Sequence, residues 1–288
     1  MKRAARLLGR GVIVLLASAF AYVAYLYLSL PDVRPLRTET PPATAFMELR
    51  AREARAEDRP VTKDWRWVSY AHISQHLKRA VIVTEDGAFW QHGGVDYDQL
   101  RESMEVNWER GEFARGASTI TQQLAKNLYL SPTKSPIRKL KELLITRRLE
   151  AELSKQRILE LYLNVIEWGD GIWGAEAAAR RYFHKSAAEL TASESALLAG
   201  AIANPHIMSP AHPSARLRRR QEMIMRRMGA VTPPPAEPAL PPVVLPPVEG
   251  LPQLPGDPAS PDVGAPTALP GTQIPAAAPP KKPGGGRI

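Results

Sequence analysis

An uninterrupted apolar run near the N-terminus is the feature that most restricts how this chain can fold. Residues 11–30 (GVIVLLASAFAYVAYLYLSL) contain no charged side chain. At about 1.5 Å per residue, a helix of this length covers the ~30 Å hydrocarbon core of a bilayer. Lys and Arg side chains precede the run, so the positive-inside rule predicts a cytoplasmic N-terminus. We therefore predict a cytoplasmic basic segment at 1–10, a transmembrane anchor at 11–30 and an extracytoplasmic remainder.

A cleaved signal peptide is the other interpretation of this run. Ala17-Ser18-Ala19 resembles a small-residue cleavage site. Apolar sequence nevertheless continues for eleven residues past Ala19, which is unusual after a cleavage site. We favour the uncleaved anchor and predict a single-pass protein of the inner (cytoplasmic) membrane, with its main domain on the periplasmic side.

Composition changes twice beyond the anchor. Residues 31–64 are rich in proline and mixed charge and predict a juxtamembrane stalk. Residues 65–230 contain apolar side chains at helical spacing and no sustained alternation, so they predict a mainly α-helical domain. Residues 231–288 are dominated by Pro, Ala and Gly and contain too few large side chains to offset the entropy of ordering, which predicts a disordered tail.

Charge and cysteine content narrow the classes of chemistry. The chain has no cysteine, which excludes disulfides, cysteine-based zinc sites and thiol nucleophiles. Its formal net charge of +9 predicts attraction to anionic lipid, phosphate or nucleic acid, and composition alone does not choose among them.

Three polar blocks interrupt the helical region. They are E-D-G-A-F-W-Q-H-G-G at 85–94, G-A-S-T-I-T-Q-Q-L-A-K-N at 116–127 and R-K-L-K-E at 138–142. Buried polar groups need partners, so a structural protein has little reason to concentrate amides, hydroxyls and charges in this way. A site that holds a sugar and a phosphate does have that reason.

The blocks resemble the ordered motifs of the peptidoglycan glycosyltransferase family of penicillin-binding proteins. I-L-E-L-Y-L-N at 158–164 and E-S-A-L-L-A-G at 194–200 resemble its next two motifs, so the resemblance covers roughly residues 65–227. It implies a lysozyme-like glycosyltransferase domain. The implied reaction polymerises lipid-linked disaccharide-peptide (lipid II) into glycan strands by inverting transfer, with release of undecaprenyl pyrophosphate. The implied partners are lipid II, the growing glycan, the membrane and other cell-wall synthesis proteins, with no nucleic acid.

The resemblance assigns roles to individual side chains. Glu85 matches the general base, and the apolar run before it predicts partial desolvation and a raised pKa. Glu142 matches the second carboxylate, while Lys126 and Arg138 supply positive charge for a departing pyrophosphate. The predicted substrate-binding residues are Asp86, Phe89, His92, Ser118, Thr119, Gln122, Gln123, Lys126, Asn127, Arg138 and Lys139.

We predict no obligatory cofactor and no dedicated metal ligands. Pyrophosphate beside clustered carboxylates is compatible with a divalent cation such as magnesium. The sequence also departs from some bifunctional relatives at 200–205 (G-A-I-A-N-P), where alanine replaces a lysine that approaches the substrate phosphate.

Two other functions stay open at this point. Paired carboxylates equally suit a lysozyme-like lytic enzyme acting on finished peptidoglycan. Such an enzyme has no need of Lys126 and Arg138, because its leaving group is a sugar hydroxyl. The other alternative is a non-catalytic membrane scaffold, whose proline-rich tail recruits wall-synthesis proteins.

Overall fold

Helices dominate the computed structural model, which describes residues 2–110, 118–133 and 135–230. Within these residues the α-helices are α1 (Lys2–Leu28), α2 (Ala45–Ala56), α3 (Gln75–Glu85), α4 (Tyr97–Arg110), α5 (Ile120–Tyr129), α6 (Pro136–Glu152), α7 (Lys155–Val165), α8 (Ala175–Phe183), α9 (Ala192–Ala201) and α10 (Ala215–Arg227). Short 3₁₀ turns lie at Arg34–Arg37, Tyr70–His72, Ala187–Glu189 and Met228–Ala230. The prediction of a mainly α-helical fold is confirmed. The predicted tail at 231–288 lies outside the described residues.

Helix α1 contains the predicted anchor. Its stretch Gly9–Leu28 has a mean hydropathy of 2.1 and only 6% of it is buried, so length and composition allow it to cross a membrane. Apolar side chains such as Phe20, which is 77% exposed, contact no protein core. An exposed apolar surface of this kind is stable only against lipid or another apolar partner. A core helix of a soluble domain would bury these side chains.

The segment predicted as a stalk packs on the helical domain. Val33 and Leu36 belong to the same buried cluster as the central helices. Thr44 caps the start of helix α2, because its hydroxyl accepts from the Met47 N–H (3.1 Å), and the helix lies against α5. The assignment of 31–64 as a stalk stays a prediction, but this segment is not a free spacer between anchor and domain.

The core is built where α3, α5 and α7 meet their neighbours. Helix α5 packs between α6 and α7, and α3 packs against α9 and α10. Leu77, Leu124 and Leu159 are fully buried in this cluster. Burying such a side chain contributes about 1.5–3 kcal/mol, so this packing fixes the ends of α3 and α5 relative to α6.

A small sheet joins the start of the domain to its middle. Strand β1 (Asp64–Trp65) runs parallel to β3 (Ile172–Trp173), which pairs antiparallel with β2 (Glu167–Gly169). Strands of two or three residues are too short to show alternation in the sequence, which explains why sequence analysis finds no strand here.

Candidate active site

Glu85 is the last residue of α3, where the helix ends next to the N-terminus of α5. Gln123 Nε2 donates a hydrogen bond to Glu85 Oε2 (2.9 Å), and the buried Tyr162 hydroxyl donates to Gln123 Oε1 (2.9 Å). This chain of contacts links α7 through α5 to α3. Gln123 therefore holds the Glu85 carboxylate in one orientation, and Tyr162 holds the Gln123 amide.

Asp86 and His92 organise the loop that follows α3. The Asp86 carboxylate accepts from the Ile120 N–H (2.9 Å) at the first turn of α5, where the helix dipole favours negative charge. Its other oxygen contacts His92 Nε2 (2.8 Å), while the Gly94 N–H donates to His92 Nδ1 (3.1 Å). Since Nδ1 accepts a hydrogen bond, Nε2 carries the proton and donates to Asp86.

The same loop is closed onto helices α5 and α6. Thr119 and Gln122 form a reciprocal capping box at the start of α5, and the Thr119 hydroxyl donates to the Gly94 carbonyl (2.7 Å). Gly94 has φ +88°, and a Cβ there would lie 2.7 Å from Thr146 Cγ2 on α6. Only glycine permits both the left-handed backbone and this approach.

Glu142 lies on α6 and is held by two cations. Arg138 Nη1 donates to Glu142 Oε2 (2.7 Å), and Lys139 Nζ contacts the other oxygen. The Glu142 side chain is only 4% exposed, against 19% for Arg138 and 51% for Lys139. Arg138, Lys139 and Glu142 thus share one face of α6, as their spacing of three and four residues allows. The buried Arg138 Nε has no hydrogen-bond partner in the part of the chain that the structure describes, so one donor stays open.

Lys126 connects the two carboxylates electrostatically. Burial lowers the pKa of Lys126 from its ordinary value, and both Glu142 and Glu85 act to raise it. No ion pair of Lys126 forms among the described residues, and its ammonium lies 5.9 Å from the Phe46 ring centroid. The half-buried ammonium is therefore within electrostatic reach of Glu85 and Glu142, and it forms no ion pair with either of them.

Burial also controls the proton affinity of Glu85. Desolvation raises the pKa of Glu85, as the apolar sequence before it predicts. The hydrogen bond from Gln123 opposes this rise, and the charges of Arg220 and Lys126 oppose it further. The carboxylate is therefore more basic than an exposed one but remains ionisable. This combination suits proton abstraction.

Comparison of the sequence with known proteins identifies the family to which this site belongs. The sequence profile of the transglycosylase family matches residues 53–229. The chain is 45% identical over 219 residues to the biosynthetic peptidoglycan transglycosylase of Nitrosomonas eutropha, covering 76% of this chain and 88% of the relative. It is 43% identical over 229 residues to that of Thiobacillus denitrificans, covering 80% and 97%. For Dechloromonas aromatica the identity is 47% over 190 residues, covering 66% and 82%.

The chain belongs to the transglycosylase family. The lysozyme-like fold implied by the motifs follows from this membership, and the chain is an enzyme of that class. In this transglycosylase domain Glu85 ends α3 and Glu142 lies on α6, and both carboxylates act electrostatically on Lys126 of α5.

Several residues predicted to bind substrate instead have internal contacts in this transglycosylase domain. Phe89 is fully buried in the core, where the Lys155 ammonium lies 4.5 Å from its ring centroid. The capping and loop contacts described above use Asp86, His92, Thr119 and Gln122. Asn127 Nδ2 donates to the Gln123 carbonyl (2.8 Å). In this conformation these side chains shape the site, and their direct contact with substrate stays a prediction.

The structure brings the remaining predicted residues to the site and adds one that sequence analysis missed. Gln123, Lys126, Arg138 and Lys139 surround the two glutamates as described above, and Ser118 is exposed at the entrance to α5. The addition is Arg220 of α10, whose charge lowers the pKa of Glu85. Its buried Nε has no partner among the described residues. It is one of three consecutive arginines at 218–220, and the sequence does not indicate which of the three side chains points toward Glu85.

Proposed function

We propose that this transglycosylase polymerises lipid-linked disaccharide-peptide into peptidoglycan glycan strands. Glu85 removes the proton from the sugar hydroxyl of one substrate, whose oxygen attacks the anomeric carbon of the lipid-linked glycan. Attack from the face opposite the pyrophosphate inverts that centre and releases undecaprenyl pyrophosphate. The observation that carries the proposal is the half-buried cation Lys126, which feels the charge of both carboxylates and forms no ion pair with a described residue.

Glu85 is assigned the base because its environment prepares it for proton transfer. Burial raises its pKa, and the Tyr162–Gln123 contacts fix its orientation. A positioned base of this kind contributes about 10²–10⁴-fold to rate. Glu142 is assigned a supporting role, because two cations already bind its buried carboxylate.

The cations are assigned to the leaving group. A departing pyrophosphate gains negative charge as its bond to the sugar breaks, and fixed cations in a partly desolvated site stabilise that charge strongly. Lys126 and the open donor of Arg138 supply such groups, and Lys139 adds a half-exposed one. We also assign Arg220 to this cluster, on the side of Glu85. A lytic enzyme would have no comparable use for them.

An apolar cavity beside the cations favours a lipid-linked substrate. It has a volume of about 430 Å³ and lies between α4 and α6. It is lined by Val95, Tyr97, Leu100, Gln122, Pro136, Lys139, Leu140 and Leu143. A hydrocarbon chain in this cavity would leave water, while its phosphates would lie near Lys139.

We propose that α1 crosses the inner membrane with the N-terminus in the cytoplasm. The active site then lies on the outer side, next to the leaflet that presents the substrate head group. The basic residues before the anchor and the exposed apolar surface of α1 support this orientation. We expect a protease added to the periplasmic face of spheroplasts to digest the domain, and full protection there would contradict the orientation.

The decisive assay uses the full chain in detergent with purified lipid II. We expect Glu85→Gln to lower the rate of glycan polymerisation by about 10²–10⁴-fold. Glu222→Gln is the matched control, because Glu222 is an exposed carboxylate on α10. Polymerisation at the wild-type rate by the Glu85 variant would overturn the proposal. Release of muropeptides from insoluble peptidoglycan by the wild-type protein, without polymer formation, would favour the lytic alternative.

A further inference from the structure

Three side chains of the metal-binding type converge outside the active site. Glu167 begins β2, Asp170 lies in the β2–β3 turn, and His206 lies in the loop after α9. One ligand atom from each lies within 4.8 Å of the other two. The β2–β3 hairpin supplies two of these residues, and the third, His206, comes from a loop more than thirty residues later in the sequence.

The Glu167 carboxylate has unused capacity to bind a ligand. Glu167 is 8% exposed, and its Oε1 has no hydrogen-bond partner among the described residues. Its Oε2 accepts from Arg50 Nε (3.1 Å) and contacts His206 Nε2 (3.1 Å). A buried charged oxygen without a hydrogen-bond partner destabilises a protein, so a bound ligand at Glu167 Oε1 would stabilise the fold.

The surroundings carry an excess of negative charge. A cavity of about 560 Å³ adjoins Asp170 and His206. The charged residues that line this cavity, together with Glu167, are the acids Glu53, Glu57, Glu167 and Asp170 and the bases Arg50 and Arg59. Four acids against two bases leave two negative charges, which a divalent cation would neutralise.

The turn that carries Asp170 is held rigidly. Asp170 lies between Gly169 and Gly171, and Gly171 has φ +68°. A Cβ at Gly171 would lie 2.8 Å from the Thr62 carbonyl oxygen, and the Asp64 N–H donates to the Gly171 carbonyl (2.8 Å). A ligand held in this way loses little freedom when an ion binds.

We propose that Glu167, Asp170 and His206 bind a divalent cation of the zinc or manganese type. Mixed imidazole and carboxylate donors are the set that these ions take, with water completing the coordination. Arg50 is then the outer partner that orients the Glu167 carboxylate, an arrangement common around metal-bound carboxylates. His206 is 34% exposed, which gives the ion a path from solvent.

The test measures metal binding by the full chain in detergent, after chelation and removal of the chelator. We expect titration calorimetry with zinc chloride and with manganese chloride to show one ion per chain for at least one of them. Losing an outer partner costs about 10–100-fold in affinity, so His206→Ala, which removes a ligand, should cost at least 100-fold. Asp170→Asn should weaken binding in the same direction.

His212→Ala is the matched control, because His212 is exposed in the same region of the chain. It should bind the ion as tightly as the wild-type protein does. Both ligand variants keep Glu167 and Arg50, and their melting midpoints without metal, compared with that of the wild type, test whether they fold. Equal binding by wild type and His206→Ala, or no binding by the wild type, would overturn the proposal. Since the readout is metal binding, it is independent of glycosyl transfer.

Discussion

Replacing Gln123 by leucine tests how the site sets the proton affinity of its base. The amide donates to Glu85 at 2.9 Å and is itself held by the Tyr162 hydroxyl. Leucine has a similar size but no donor, so it removes the contact that opposes the effect of burial on Glu85. The pKa of Glu85 should therefore rise further, and the acid limb of the pH–rate profile should move to higher pH.

The size of the effect follows from the kind of hydrogen bond that is lost. A hydrogen bond to a charged group contributes about 1.5–3 kcal/mol, and about 1.4 kcal/mol corresponds to a factor of ten. On the acid limb, kcat/KM for polymerisation should therefore fall about 10- to 100-fold relative to wild type. The two profiles should converge at higher pH, where Glu85 is ionised in both the wild type and the variant.

The assay is polymerisation of lipid II across a pH series by the two purified proteins. Asn127→Ala is the control, because Asn127 is an amide one turn along α5 that bonds a helix carbonyl and not Glu85. It can change the rate at every pH, but it should leave the position of the acid limb unchanged. A Gln123 variant with reduced rate and an unmoved limb would refute this account of proton affinity.

Three further predictions concern stability. Arg138→Ala should lower the free energy of unfolding by about 3 kcal/mol, because this cation is mostly buried, and Lys139→Ala by less than ~1 kcal/mol, because that cation is half-exposed. Equal losses in denaturant titrations would contradict this prediction. Gly94→Ala should lower the free energy of unfolding by at least ~2 kcal/mol, because the backbone there is left-handed and a Cβ would clash with α6. Gly87→Ala should lower it by less than ~0.5 kcal/mol, because the space around Gly87 is open. Burial raises the pKa of Glu85, so the folded protein binds this proton more tightly than the unfolded chain does. The folded state therefore loses stability as the pH rises through that pKa and the carboxyl ionises. Glu85→Gln should have a higher melting temperature than wild type at about pH 8 and an equal one at about pH 4.

Helices and motif residues could be predicted because their signals are local. The spacing of apolar residues predicted helices through residues 65–230, and α7 at Lys155–Val165 is one of them. The adjacency of Arg138 and Glu142 followed from their i, i+4 spacing. In the same way, an apolar run before Glu85 was enough to predict the direction of its pKa change.

Long-range contacts could not be predicted in this way. Phe89 and Asp86 were predicted to bind substrate because they match the first motif. Both are buried instead, and their burial depends on how the loop folds onto α5, which residue spacing does not encode. Arg220 approaches Glu85 from a helix more than a hundred residues later, and neighbouring arginines carry the same local signal. The three-stranded sheet pairs strands too short to have a period.

The junction between α1 and the domain has a consequence for how substrate is met. Arg148 donates to the Tyr27 carbonyl (2.6 Å) at the end of α1, and Val33 then enters the core. No flexible linker therefore separates α1 from the catalytic domain, so the domain does not move away from the end of α1 to reach substrate. With α1 in the membrane as proposed, encounters come from lateral diffusion of lipids along the bilayer plane, and chain growth should slow in stiffer, less fluid vesicles.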